Sequence, residues 1–120
     1  MKIFMPIFYN ENTRKVVQQE EFIEYYKKYF NQNINKIHKF LLALAYNDIT
    51  NFKIEFDGKD EVKSFTLYLT DDDGDIDFLF EFYKNKNGNI KITFGTINND
   101  LNIEESLNVL NIVKEASKFL

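Results

Sequence analysis

The residues with the most chemical potential are carboxylates crowded into the stretch Thr70-Asp-Asp-Asp-Gly-Asp-Ile-Asp-Phe-Leu-Phe-Glu-Phe82, where Asp71, Asp72, Asp73, Asp75 and Asp77 fall within seven residues. Clustered carboxylates are hard oxygen ligands, so calcium and magnesium are the ions to test. A calcium loop of the EF-hand type needs oxygen ligands at its first and last positions around a central glycine. With Gly74 at the centre, Asp71, Asp73 and Asp77 fall at ligand positions, but the first position is Leu69 and the last is Phe80, with Glu81 one residue late. The flanking segments also read as strands, where that motif has helices. A magnesium site for phosphoryl chemistry would instead use Asp75, Asp77 and Glu81 on one strand face. Such a site adds a cation to handle developing charge, and only Lys53 and Lys91 offer themselves. No catalytic residue, resident metal or cofactor is expected.

The same stretch reads as a turn. A two-residue type I′ turn at Asp73-Gly74 pairs Asp72 with Asp75, and sets Leu69 opposite Phe78, Leu67 opposite Phe80 and Phe65 opposite Phe82. On the other face Thr70 meets Asp77, Tyr68 meets Leu79 and Thr66 meets Glu81. A slip of one residue would mix the two faces, so turn and pattern agree. The second glycine turn, Asn87-Gly88, admits no such match and places Gly88 in a bulge. The acidic turn still carries surplus charge, because like charges on paired strands cost up to ~1 kcal/mol and asparagine would turn as well. Solubility with edge protection is one explanation. A basic protein partner is the other.

The remaining chemistry is thin. The chain has no cysteine, which removes disulfides, thiolate metal sites and cysteine nucleophiles. His38 is the only histidine and sits beside an apolar helical stripe. Ser64, Ser106 and Ser117 lack a nucleophile-elbow context, and no glycine-rich phosphate loop occurs. The run Tyr25-Tyr26-Lys27-Lys28-Tyr29-Phe30 interleaves aromatics with lysines. Its helical spacing makes the rings core and the lysines solvated.

These residues have to be positioned by elements that the hydrophobic periodicity predicts. Lys2 to Tyr9 reads as a strand, with Pro6 marking an edge or bulge. Arg14 to Gln18 fits either a short return strand or the start of a helix. Phe22, Tyr26, Tyr29 and Phe30 form a helical stripe, and Ile34, Ile37, Leu41, Leu44 and Ala45 resume it beyond an asparagine cluster. One long bent helix or two helices split near Asn31–Asn33 would fit, and the split is preferred. Four alternating segments follow, through Phe52–Phe56, Phe65–Leu69, Ile76–Phe82 and Ile90–Phe94. A last helix starts at Asn102, with Glu105 completing a capping box. Its wide stripe, Ile103, Leu107, Leu110 and Val113 broadened by Val109, Ile112, Ala116 and Phe119, predicts docking on the sheet. The expected class is α+β: an antiparallel meander of four to five strands, with an N-terminal helical pair and a C-terminal helix on one face.

At 120 residues, 44% hydrophobic and 17% aromatic, the chain is expected to form a single domain over residues 1–120. The apolar start is too short to span a bilayer and no cleavage site follows it, so a soluble cytoplasmic protein is expected. The net charge of -4 is uneven: residues 1–60 hold nine Lys/Arg against eight Asp/Glu, and residues 61–120 six against eleven. An acidic half argues against direct nucleic-acid binding and admits a basic protein partner. Abundant Asn, Lys, Ile, Phe and Tyr fit AT-rich codons, hence a low-GC bacterium or a phage or mobile element within one. The expected function is a small non-enzymatic binding or inhibitor protein, of the toxin-immunity or phage anti-defence (anti-CRISPR) type, with no membrane association. Its expected partner-binding residues are Asp71, Asp72, Asp73, Asp75, Asp77, Glu81, Tyr68, Leu79 and Tyr83. The alternative is a structural or self-assembling accessory protein of a phage or mobile element, pairing through a free sheet edge as a homodimer. A small metal-binding protein or enzyme using Asp75, Asp77 and Glu81 is the third reading.

Overall fold

The computed structural model describes residues 6–57, 63–71, 73–96 and 102–120. Along the chain run β1 (Ile7–Asn10), β2 (Lys15–Val17), α1 (Gln19–Tyr29), α2 (Asn35–Tyr46), β3 (Phe52–Asp57), β4 (Lys63–Thr70), β5 (Ile76–Lys84), β6 (Ile90–Thr96) and α3 (Ile103–Ser117). The α+β class holds, but the sheet differs from expectation. Among the described residues it has six strands in the order β2-β1-β3-β4-β5-β6, and it is mixed rather than antiparallel, because β1 runs parallel to β3. Parallel neighbours need a long crossover, and the α1–α2 pair supplies it. Residues 15–17 resolve as a return strand on β1. The part of the expected first strand before Pro6 lies outside the described residues.

Asparagines break the helical pair by offering the backbone a local alternative to the helix. The Asn31 side chain accepts from the Asn33 amide at 2.8 Å, and the Asn33 side chain from the Asn35 amide at 3.1 Å. Helix α2 ends on Asp48 in a left-handed conformation (φ 62°), with the Ile49 amide donating back to the Leu44 carbonyl.

Strands β3, β4 and β5 alternate strictly, and their inward residues join α1 and α2 in one core. Phe22, Tyr26, Ile37, Phe40, Leu44, Ile54, Leu67, Phe80 and Phe82 are completely buried there. Phe65 stacks on Phe82 at 4.9 Å between ring centres and meets Phe22 edge-on at 5.2 Å. Each such ring contributes about 1.5–3 kcal/mol by burial, with roughly 0.5–1.5 kcal/mol more for each well-oriented aromatic pair. Helix α3 is capped by the Asn102 side chain, which accepts from the Glu104 amide at 2.7 Å. Its docking is narrower than the stripe predicts. Val113 and Ala116 are buried, whereas Ile103, Leu107 and Phe119 are exposed.

Core pairing on β4 and β5 follows the expected register: Phe65 opposite Phe82, Leu67 opposite Phe80 and Leu69 opposite Phe78. The turn above it does not. Register shifts beyond Leu69, Thr70 pairs with Ile76, and Asp77 is the extra residue of a bulge. The closing pair among the described residues is Asp71 with Asp75, whose backbone bond is 2.9 Å, while Asp72, the expected partner of Asp75, lies outside the described residues. Gly74 (φ 86°) donates to the Asp71 carbonyl, giving a turn closed by a left-handed glycine. The β5–β6 turn repeats this design: Asn85 pairs with Asn89, and Gly88 (φ 82°) donates to the Asn85 carbonyl. Asp71-x-x-Gly74-Asp75 and Asn85-x-x-Gly88-Asn89 are thus one turn written in two residue types.

Candidate interaction face and acidic hairpin

All nine expected partner-binding residues belong to the β4–β5 hairpin, and the structure divides them by role. Asp71 is largely committed to the turn, since its Oδ1 accepts from the amides of Asp73 and Asp75, each at 2.9 Å. Asn51 anchors the turn to the loop before β3 by donating its side-chain amide to the Asp71 carbonyl at 2.8 Å. Asp73 and Asp75 are exposed, and Asp77 is half-buried at the bulge, where its carbonyl accepts from the Thr96 hydroxyl at 3.1 Å. Asp72 lies outside the described residues.

Tyr68, Leu79, Glu81 and Tyr83 alternate with the core residues and point to the face opposite the helices. Glu81 is exposed and the others are half-buried. The strand pairings add residues that belong to the same surface. On β3, Lys53 lies opposite Tyr68 and Glu55 opposite Thr66, while β1 brings Tyr9 beside Glu55. Lys53 bonds Glu55 at 2.7 Å and stands over the Tyr68 ring at 5.1 Å and the Tyr9 ring at 5.9 Å. Two carboxylates crowd at the β1 end. A hydrogen bond with Glu55, then partial burial, then the charges of Glu55 and Asp57 hold the Glu11 carboxyl above its ordinary range, against a lowering by Lys53. The Tyr68 hydroxyl is also held above its ordinary range, first by burial and then by the negative charges of Glu55, Glu11 and Glu81. The face therefore presents aromatic area within a net negative field.

Alternation along Phe52–Phe56 is enough to place Lys53 and Glu55 on the outward side of the strand. That Tyr9 and Glu11 join them is not legible in the sequence, because the contact depends on the parallel β1–β3 pairing.

Asp75 in the turn and Asp77 and Glu81 on β5 do not converge: among the described residues no group of three His, Asp or Glu side chains is placed to share a metal ion. His38 is half-buried on α2. At the other end of β5 the charge reverses. Lys36, Lys84, Lys114 and Lys118 line a cleft beside the Asn85–Asn89 turn, with Lys84 donating to the Phe30 carbonyl at 2.7 Å. Among the described residues no helix is long and apolar enough to cross a membrane. No protein-family model, no curated protein and no solved structure matches the chain.

Proposed function

We propose that the protein is a non-enzymatic binding or inhibitor protein that docks its acidic hairpin and outer sheet face into a basic groove of a protein partner in the cytoplasm. The observation that carries this reading is the sheet face left uncovered by the helices, where Tyr68 sits among Glu11, Glu55 and Glu81. Aromatic area within charge of one sign suits protein recognition, with the rings supplying contact and the carboxylates speeding encounter. A toxin-immunity or phage anti-defence (anti-CRISPR type) protein uses such a surface to fill the site of a nuclease or other basic effector. Capture from a low-GC bacterial host, followed by purified-partner titration, tests it. Reversing Asp73, Asp75 and Glu81 to lysine is expected to weaken that partner at least tenfold and to abolish the salt dependence of association. Equal binding by the reversed variant refutes the reading. A second reading, a self-assembling accessory protein of a phage or mobile element, is favoured by a separate observation, the β6 edge that no described strand covers.

A further inference from the structure

The two edges of the sheet are treated differently. The β2 edge is three residues long, carries Lys15 and is bounded by Arg14 in a left-handed conformation (φ 56°). Short, charged, irregular edges resist pairing. The β6 edge spans seven residues, Ile90-Lys-Ile-Thr-Phe-Gly-Thr96, with no proline and a single charge. Bonding of Asn85 to Asn89 sets the ladder phase, so Lys91, Thr93 and Gly95 direct their backbone groups at β5. By alternation, the amides and carbonyls of Ile92 and Phe94 point outward, and no described strand pairs with them.

Apolar side chains gather at the same edge. Ile92 is 41% exposed and Phe94 is 37% exposed, although the Phe94 ring rests 5.1 Å from Phe80. Lys114 and Ser117 of α3 line a cleft with Ile90 and Ile92, so that flank of α3 faces β6. Followed back by helical spacing, the flank carries Leu110, Leu107 and Ile103. Leu107 is 60% exposed and Ile103 is 78% exposed.

We propose that this edge pairs with the β6 of a second copy, antiparallel about a two-fold axis at Thr93, to make one continuous sheet. Centring on Thr93 is the register that engages all seven residues of both strands. It sets Ile92 against Phe94 on the helix-covered side, so the apolar layer runs across the junction. It sets Lys91 against Gly95, which has neither charge nor side chain, and opposes no like charges. Such an isologous contact closes on itself and leaves only the short β2 edges at the ends. The inference deepens the self-assembly reading by fixing partner and register, and it is independent of the acidic face.

A cysteine at the axis tests it, because the wild-type chain has none. Facing residues in a non-hydrogen-bonded pair lie about 4.5 Å apart between Cα atoms, within the roughly 4.4–6.8 Å range that a disulfide spans. Under mild oxidation Thr93→Cys is expected to form a covalent dimer, while Asn12→Cys in the β1–β2 turn does not. Light scattering of the wild type is expected to give twice the chain mass. Thr93→Lys, an exposed substitution that opposes like charges at the axis, is expected to raise the dimer dissociation constant about fivefold. An oligomer in which Thr93→Cys fails to cross-link overturns the β6 register and leaves self-assembly standing. A monomer at every concentration overturns both. Partner binding that is lost on reversing Asp73, Asp75 and Glu81 bears on the acidic face alone.

Discussion

Replacing Asp71 separates the structural part of the acidic stretch from the rest. Its Oδ1 accepts from the amides of Asp73 and Asp75 at 2.9 Å each, and both donors lie in an exposed turn. Asp71→Ala returns those amides to water, so each lost bond costs about 0.5–1 kcal/mol rather than a full burial penalty. The sum is about 1–2 kcal/mol, or a fall of roughly 4–8 °C in Tm for a chain of this size. Asp71→Asn keeps an acceptor at the same atom and removes a like charge from the turn. It is expected to leave Tm unchanged or slightly higher. Asn85 holds the equivalent place, accepting from Asn87 at 3.0 Å and Asn89 at 2.9 Å. Asn85→Ala should match Asp71→Ala, and Asn85→Asp should be nearly neutral. Thermal melts of these four variants, with urea titrations to obtain free energies, read the result directly. If Asp71→Asn proves as harmful as Asp71→Ala, the negative charge and not the acceptor is what the turn uses, and the equivalence of the two turns fails.

Three further outcomes follow from particular contacts. Gly74 adopts φ 86° with open space around it, so Gly74→Ala should cost about 1–2 kcal/mol from backbone strain alone, whereas Gly95→Ala, whose Cβ would sit 3.5 Å from Leu79, should gain roughly 0.5–1 kcal/mol in a chemical melt. Adjacent tyrosines should respond with opposite sign: Tyr25 donates to the Ser64 carbonyl at 2.6 Å, so Tyr25→Phe loses about 1 kcal/mol, while the buried Tyr26 hydroxyl, pushed up to about 12 by burial, has no partner among the described residues, so Tyr26→Phe gains about 1 kcal/mol. The raised carboxyl of Glu11 means that the folded state holds this proton more tightly than the unfolded chain, so its stabilising effect is full below the ordinary value of 4.5 and is lost as pH rises through the raised one. Stability curves of wild type and Glu11→Gln should therefore separate across that window, the wild type falling relative to the variant, and parallel curves would refute the Glu11–Glu55 contact.

What the sequence made legible was the part governed by short-range alternation. Phe65, Leu67 and Leu69 face Phe82, Phe80 and Phe78 because a strand face that is buried tolerates no slip. The helix split was legible for a similar reason, since Asn31 and Asn33 act within two residues of themselves. Turn geometry escaped because the bulge at Asp77 changes register after the last core pair, where no apolar residue remains to report it. The parallel β1–β3 contact escaped because its partners lie on either side of two helices and leave no local trace. The stripe on α3 looked like a docking face, yet Ile103 and Leu107 are exposed. Apolar periodicity marks a face that seeks cover without saying whether the same chain provides it. At the candidate site, the outward placement of Tyr68, Leu79, Glu81 and Tyr83 was readable, and the demotion of Asp71 to a turn-former was not.

Because the Asp71–Asp75 and Asn85–Asn89 turns share one backbone design at opposite ends of β5, the molecule contains its own exchange experiment. Transposing the two five-residue sequences would leave composition, mass, net charge and turn geometry as they are. It would carry the aspartates roughly 30 Å along the strand, into the neighbourhood of Lys36, Lys84, Lys114 and Lys118. Any property that moved with them would depend on where the charge lies, and any property that stayed would belong to the fold.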